Sequence, residues 1–254
     1  MTTKEKLLAV LLLIPLGFPV AAWGQTGLAS SRHDFTDDAT VAGGVGLCTF
    51  CHTPHSAQET KLLWNHTASA ETYTWSDLTE TTGGTPLTGF DQNWGGVSKN
   101  CLSCHDGTVA IGDVAWFRAA APATPLFADK HDQLTDPYKL TGKLGGGDGD
   151  LAGNHPVAVP FPFQSAANTY NSITSGAQAV LSGWVADPET LGIRLFHDIG
   201  GGSVAGAVAG STGIECSSCH DPHNTPGKVV DDYFLRGTLT GNDTAYICLK
   251  CHDK

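Results

Sequence analysis

The chain has 254 residues, with 25 Asp and Glu against 14 Lys and Arg, for a formal net charge of −11. That acidity, with no basic patch or stripe, excludes nucleic acid as a natural partner, and it suits solubility, cationic partners or metal surfaces without specifying a fold. With 31 glycines and 13 prolines, the chain is too often interrupted for long regular elements.

The first element in chain order is a secretory signal over residues 1–24. Lys4 and Lys6 give a basic start, Leu7 to Val20 an apolar stretch broken by Pro15 and Pro19, and Ala22-Trp23-Gly24 the small residues of a cleavage site. The apolar run falls short of the ~20 residues a membrane span needs. Residues 25–254 are then one exported domain, placed outside the cell or at its surface, with the periplasm as the alternative.

Cys-x-x-Cys-His follows four times, as Cys48-Thr49-Phe50-Cys51-His52, Cys101-Leu102-Ser103-Cys104-His105, Cys216-Ser217-Ser218-Cys219-His220 and Cys248-Leu249-Lys250-Cys251-His252. All eight cysteines belong to these segments. Two thiols at this spacing can bond the two vinyl groups of one porphyrin, and the adjacent histidine then lies under the iron. Zinc sites and disulfide frameworks also use paired cysteines, but neither needs a histidine after every second one. The pattern predicts four covalently attached haem c groups.

Between the segments, Asp113 to Ala120 and Ser175 to Trp184 could form short helices. Thr82 to Pro86, Gly145 to Asp150 and Gly200 to Gly202 read as turns. The glycine run 145–150 lacks the spaced ligands and terminal Glu of a calcium loop. A chain this irregular struggles to bury enough apolar surface to offset its ordering entropy. The expected fold is therefore an irregular, loop-rich one with short helices and few short strands, a multihaem cytochrome c wrapped around a file of four haems that supply its interior.

The only methionine is Met1, so a second iron ligand has to be histidine. Outside the four segments lie His33, His55, His66, His131, His155, His197 and His223. His33, His55, His66, His155 and His223 are the favoured distal ligands, beside the proximal His52, His105, His220 and His252. His55 and His223 follow a proximal histidine by three residues and would reach a neighbouring iron more readily than their own. His131 and His197 each precede an Asp and are the weaker candidates. Segments one and three share the longer form Cys-x-x-Cys-His-x-Pro-His, which suggests an internal duplication. Surplus histidines leave no open iron site, so the chain reads as an electron carrier rather than an enzyme; a multihaem reductase is the alternative from another class.

Arg32-His33-Asp34, Cys48 to His55, Leu63-Trp64-Asn65-His66, Cys101 to Ala110, His155-Pro156-Val157, Glu215 to Asn224 and Ile247 to Lys254 follow one another in an order that resembles the OmcE-type tetrahaem cytochromes. That resemblance covers most of the chain from His33 onward. It implies bis-histidine haems stacked in one file, extracellular electron transfer by hopping, and copies of the chain joined into a conductive filament. It further implies that His223 ligates the first haem of its own chain and that His55 reaches the third haem of a neighbouring copy. Other redox proteins or extracellular acceptors would be further partners, with a soluble periplasmic shuttle as the alternative function.

Overall fold

The computed structural model describes residues 27–36, 46–55, 57, 62–81, 83–116, 133–176, 183–226, 233–241 and 245–253. The expected signal over 1–24 and His131 lie outside these residues, as do parts of the two expected helices. The described part of the first, 113–116, is not helical, and of the second, Trp184 sits in a β-bridge.

Among the described residues the α-helices are confined to the Cys-x-x-Cys-His segments, and two 3-10 turns, Phe163–Ser165 and Pro188–Leu191, lie between segments two and three. Helix α1 spans Ser98–His105 and α2 spans Cys216–Cys219, and a further 3-10 turn spans Ile247–Lys250. Two thiols three positions apart must lie on one face, and a helical turn delivers that at the least cost in backbone freedom.

Strands gather in the second half. β1 (Val159–Pro160), β4 (Phe196–Asp198), β5 (Ser203–Ala205) and β6 (Thr212–Ile214) form a four-stranded antiparallel sheet in the order β1-β6-β4-β5. β2 (Thr169–Tyr170) and β3 (Ile173–Thr174) form a separate hairpin. Its Tyr170 ring lies so close over Gly213 of β6 that a Cβ there would come within 2.2 Å of it. Glycine is required at that crossing by contact, not by dihedral angle.

The interior corrects the expected fold class. The largest cluster joins Tyr73, Trp75, Phe90, Trp94, Leu102, Leu151, Ala158, Tyr170 and Phe196. A second joins Phe161, Phe163, Ile193 and Leu195, with Trp184, Ile247 and Cys251 against it. A third joins Phe50 and Val114, with Phe35, Cys51 and Ile111. The chain thus has its own sheets and its own aromatic interior, and is not a wrap that depends on bound groups for a core. The physical reason is aromatic size. A few Trp, Tyr and Phe side chains bury 150–250 Å² each, at roughly 25 cal/mol per Å² of apolar area. Motif residues Phe50, Leu102 and Cys251 belong to these clusters, so the segments are docked on packed side chains.

Among the described residues no helix is long and apolar enough to cross a membrane. Leu195 is fully buried and Val204 is exposed. Leu195→Ala is expected to cost about 2–5 kcal/mol and Val204→Ala less than about 0.5 kcal/mol, read as midpoint shifts in urea unfolding at constant slope.

Candidate functional site: the Cys-x-x-Cys-His segments

Three of the four segments share one backbone arrangement. After the motif histidine the chain runs extended for a residue and pairs antiparallel with a returning strand. His52 bridges Trp64, His220 bridges Leu235 and His252 bridges Trp184. The same two hydrogen bonds flank each bridge. Thr53 N–H donates to Leu63 O and Asn65 N–H to Cys51 O; Asp221 N–H to Phe234 O and Arg236 N–H to Cys219 O; Asp253 N–H to Gly183 O and Val185 N–H to Cys251 O. The residue before each bridge partner is left-handed, with φ of 53° at Leu63, 61° at Phe234 and 80° at Gly183. At Leu63 and Phe234 a side chain bears a conformation that costs roughly 1–2 kcal/mol.

The returning strand holds the histidine ring. His52 Nδ1 lies 2.7 Å from Leu62 O and His220 Nδ1 2.7 Å from Tyr233 O, in each case two residues before the bridge partner. His105, which ends α1, meets Tyr138 O at 2.9 Å by a different loop. A carbonyl at Nδ1 fixes the proton there and turns the Nε2 lone pair outward, the arrangement of a metal-binding imidazole.

Three motif histidines face a second imidazole. Ring centres are 6.1 Å apart for His33 and His105, 6.2 Å for His52 and His223, and 6.3 Å for His155 and His252. His155 Nδ1 is 2.9 Å from Pro156 O, and His33 Nδ1 is 3.4 Å from Pro222 O. Two metal–nitrogen bonds of about 2.0 Å, with about 1.1 Å from each nitrogen to its ring centre, place two axial imidazoles about 6.2 Å apart. The three pairs match that span, so these residues fit a metal held between two imidazoles.

The remaining candidates behave differently. His55 is exposed, and neither it nor His220 has an imidazole opposite it among the described residues. His66 is buried with Nε2 at 3.0 Å from both Ala110 O and Ile111 O and Nδ1 at 2.9 Å from Thr67 O. A neutral ring donates from one of these nitrogens only, and among the described residues His66 faces no motif histidine. His197 lies in β4 with Nδ1 at 2.9 Å from Gly206 O. Neighbouring Asn65 is buried; its side-chain amide donates to Thr49 O and Trp116 O, tying segment one to the strand that returns past it.

All eight cysteines are free thiols. Burial pushes Cys51 and Cys219 up to about 11 and Cys251 up to about 12, and raises Cys104 further. A hydrogen bond between Cys101 and Cys216, from segments two and three, raises Cys101 and lowers Cys216. Burial, with His105 nearby, lowers His33 to about 4, so its ring is neutral and able to ligate. A thiol–disulfide catalyst needs an accessible thiolate of lowered pKa, and at segment two both thiols are raised instead.

The returning strands were the part sequence reading missed. Gly183 alone gave a signal for the left-handed turn; Leu63 and Phe234 gave none. Also missed was Glu215, which sequence reading took only as the residue before segment three.

No family profile and no curated protein matches the chain. Among the described residues no group of three or more His, Cys, Asp or Glu is placed to hold a metal ion. These findings correct the expectations that rested on resemblance. They overturn membership of the OmcE-type cytochromes, the four bis-histidine haem c cofactors and the extracellular electron-transfer function that the resemblance implied. The Cys-x-x-Cys-His segments and the geometry of their paired imidazoles stand regardless.

The left-handed position before each bridge gives a test that needs no ligand. Leu63 is 43% exposed, so its side chain contributes little packing. Leu63→Asn is expected to stabilise by a few tenths to about 1 kcal/mol, and Leu63→Val to destabilise by about 1 kcal/mol or more. Thermal unfolding of the two variants beside the parent reads both signs.

Proposed function

We propose that the chain is an exported, non-enzymatic binding protein whose Cys-x-x-Cys-His segments each seat one planar metal-centred group. The cysteine pairs Cys48/Cys51, Cys101/Cys104, Cys216/Cys219 and Cys248/Cys251 hold its rim, and the motif histidine ligates one face of the metal. His223, His33 and His155 ligate the other face at segments one, two and four. The observation that carries this reading is the set of three imidazole pairs at 6.1–6.3 Å, most with Nδ1 committed to a backbone carbonyl. A bare ion held by side chains alone needs three or four protein ligands; two imidazoles leave the equatorial positions for a group the metal brings with it.

At segments one, two and four a metal with both faces filled by imidazole has no position for a substrate, which supports a carrier or scaffold role for those three centres. His55 is exposed and lies three residues past the motif histidine His52, where it can reach a neighbouring molecule, which supports a second copy of the chain as partner. The apolar stretch before residue 25 supports export.

Intact mass and visible absorption of the protein purified from its export compartment test the reading together. A mass above the bare polypeptide by a whole number of identical groups is expected, with absorption that identifies the group and its metal. His33→Ala, His223→Ala and His155→Ala should each convert one centre from six- to five-coordinate while attachment through the thiols persists. A mass equal to the bare chain overturns the proposal.

A further inference from the structure

Glu215 is the most heavily hydrogen-bonded side chain in the described structure that this site does not use. It is 1% exposed. Oε2 accepts from Ser98 N–H at 3.1 Å and from the Ser98 hydroxyl in a short contact. Oε1 accepts from Trp94 Nε1 at 3.2 Å, Tyr170 OH at 2.5 Å and Ser203 Oγ at 3.2 Å. Gly96 leaves the room for this: a Cβ there would lie 2.3 Å from Oε1 and 2.1 Å from Trp94 Nε1. A buried carboxylate costs several kcal/mol unless donors converge on it, and here five do, from the four residues Trp94, Ser98, Tyr170 and Ser203.

Its position is the informative part. Ser98 is the first residue of α1, which carries Cys101, Cys104 and His105. Glu215 immediately precedes α2, which carries Cys216 and Cys219. The Ser98 hydroxyl that donates to Glu215 also accepts from Cys216 N–H at 2.9 Å, and Glu215 N–H donates to Ser218 Oγ at 3.0 Å. One carboxylate and one hydroxyl therefore fasten the starts of the two motif helices to each other, and the thiols of Cys101 and Cys216 meet beside them.

We propose that Glu215 is a positioning residue that sets the distance and angle between the groups seated at segments two and three; this rests on the binding reading above. Gln is the discriminating substitution. It keeps the volume, but whichever oxygen becomes NH2 then points its hydrogens at donors, and α1 and α2 lose their common acceptor. Asp retains the charge but not the reach to both serine donors.

The test uses the exported, loaded protein, read by intact mass and by circular dichroism across the absorption band of its bound groups, where neighbouring groups give a two-signed couplet. Glu215→Gln is expected to keep the number of attached groups and to lose more than half of the couplet amplitude. Ser98→Ala, which removes one donor and the bridge to Cys216, should show a smaller loss in the same sense. Thr85→Ala, which removes the buried hydroxyl accepting from Gly176 N–H in a loop that bears no motif residue, should leave the couplet unchanged. A full couplet in both Glu215→Gln and Ser98→Ala, with loading intact, overturns the proposal. A couplet lost equally in Thr85→Ala overturns it too, because the effect is then general loosening. If Glu215→Gln fails to accumulate, Ser98→Ala decides. An unaltered protein with the mass of bare polypeptide defeats the binding reading instead.

Discussion

Each nitrogen of a motif imidazole has its own task, and the backbone settles which nitrogen does what. A carbonyl at 2.7–2.9 Å from Nδ1 of His52, His105 and His220 fixes the tautomer and the ring plane before any ligand arrives. Everything downstream depends on that constraint. The returning strands exist to bring the carbonyl, and the left-handed residues exist to turn those strands. The clusters around Phe50 and Phe161 give them something to rest on. A ring free to rotate would lose rotamer entropy on binding, whereas a held one has already lost it during folding.

The division of labour between core and site follows. Trp, Tyr and Phe side chains carry the burial, while the segments bearing the thiols lie at the margins of the three clusters. Cys48 and Cys248 are exposed, whereas Cys51, Cys101 and Cys104 are at least half-buried. A segment with one open and one sheltered thiol can be docked by its neighbours and still accept a large planar group at its rim. The buried acceptor at Glu215 extends this logic to a pair of segments, fastening two helices whose own packing is slight.

Much of the site was legible in the sequence and little of the fold was. Cysteine spacing and the adjacent histidine are local, so His52, His105, His220 and His252 needed no tertiary knowledge. The opposing histidines are 72 to 171 residues away along the chain from the motif histidines they face, and no local pattern reports such a distance; the bond from His33 to Pro222 spans 189 residues. His66 shows the converse: apolar neighbours in sequence suggested a ligand, yet its nitrogens lie beside carbonyls and among the described residues it faces no motif histidine. The four-stranded sheet escaped notice because its strands are two or three residues long, too short for a period-two pattern to register. The aromatic interior escaped because Tyr73, Trp94 and Tyr170 come from separate stretches of the chain and cluster only in three dimensions.

Asn65 has a consequence of another kind. Asn65-His66-Thr67 matches the tripeptide that oligosaccharyltransferases recognise. In the folded chain both hydrogens of its amide are occupied, by Thr49 O and Trp116 O, and the side chain is 1% exposed. A sugar could be attached there only before folding, and it would then prevent the first Cys-x-x-Cys-His segment from closing. Expression hosts that glycosylate nascent secreted chains are for that reason poor choices for producing this one.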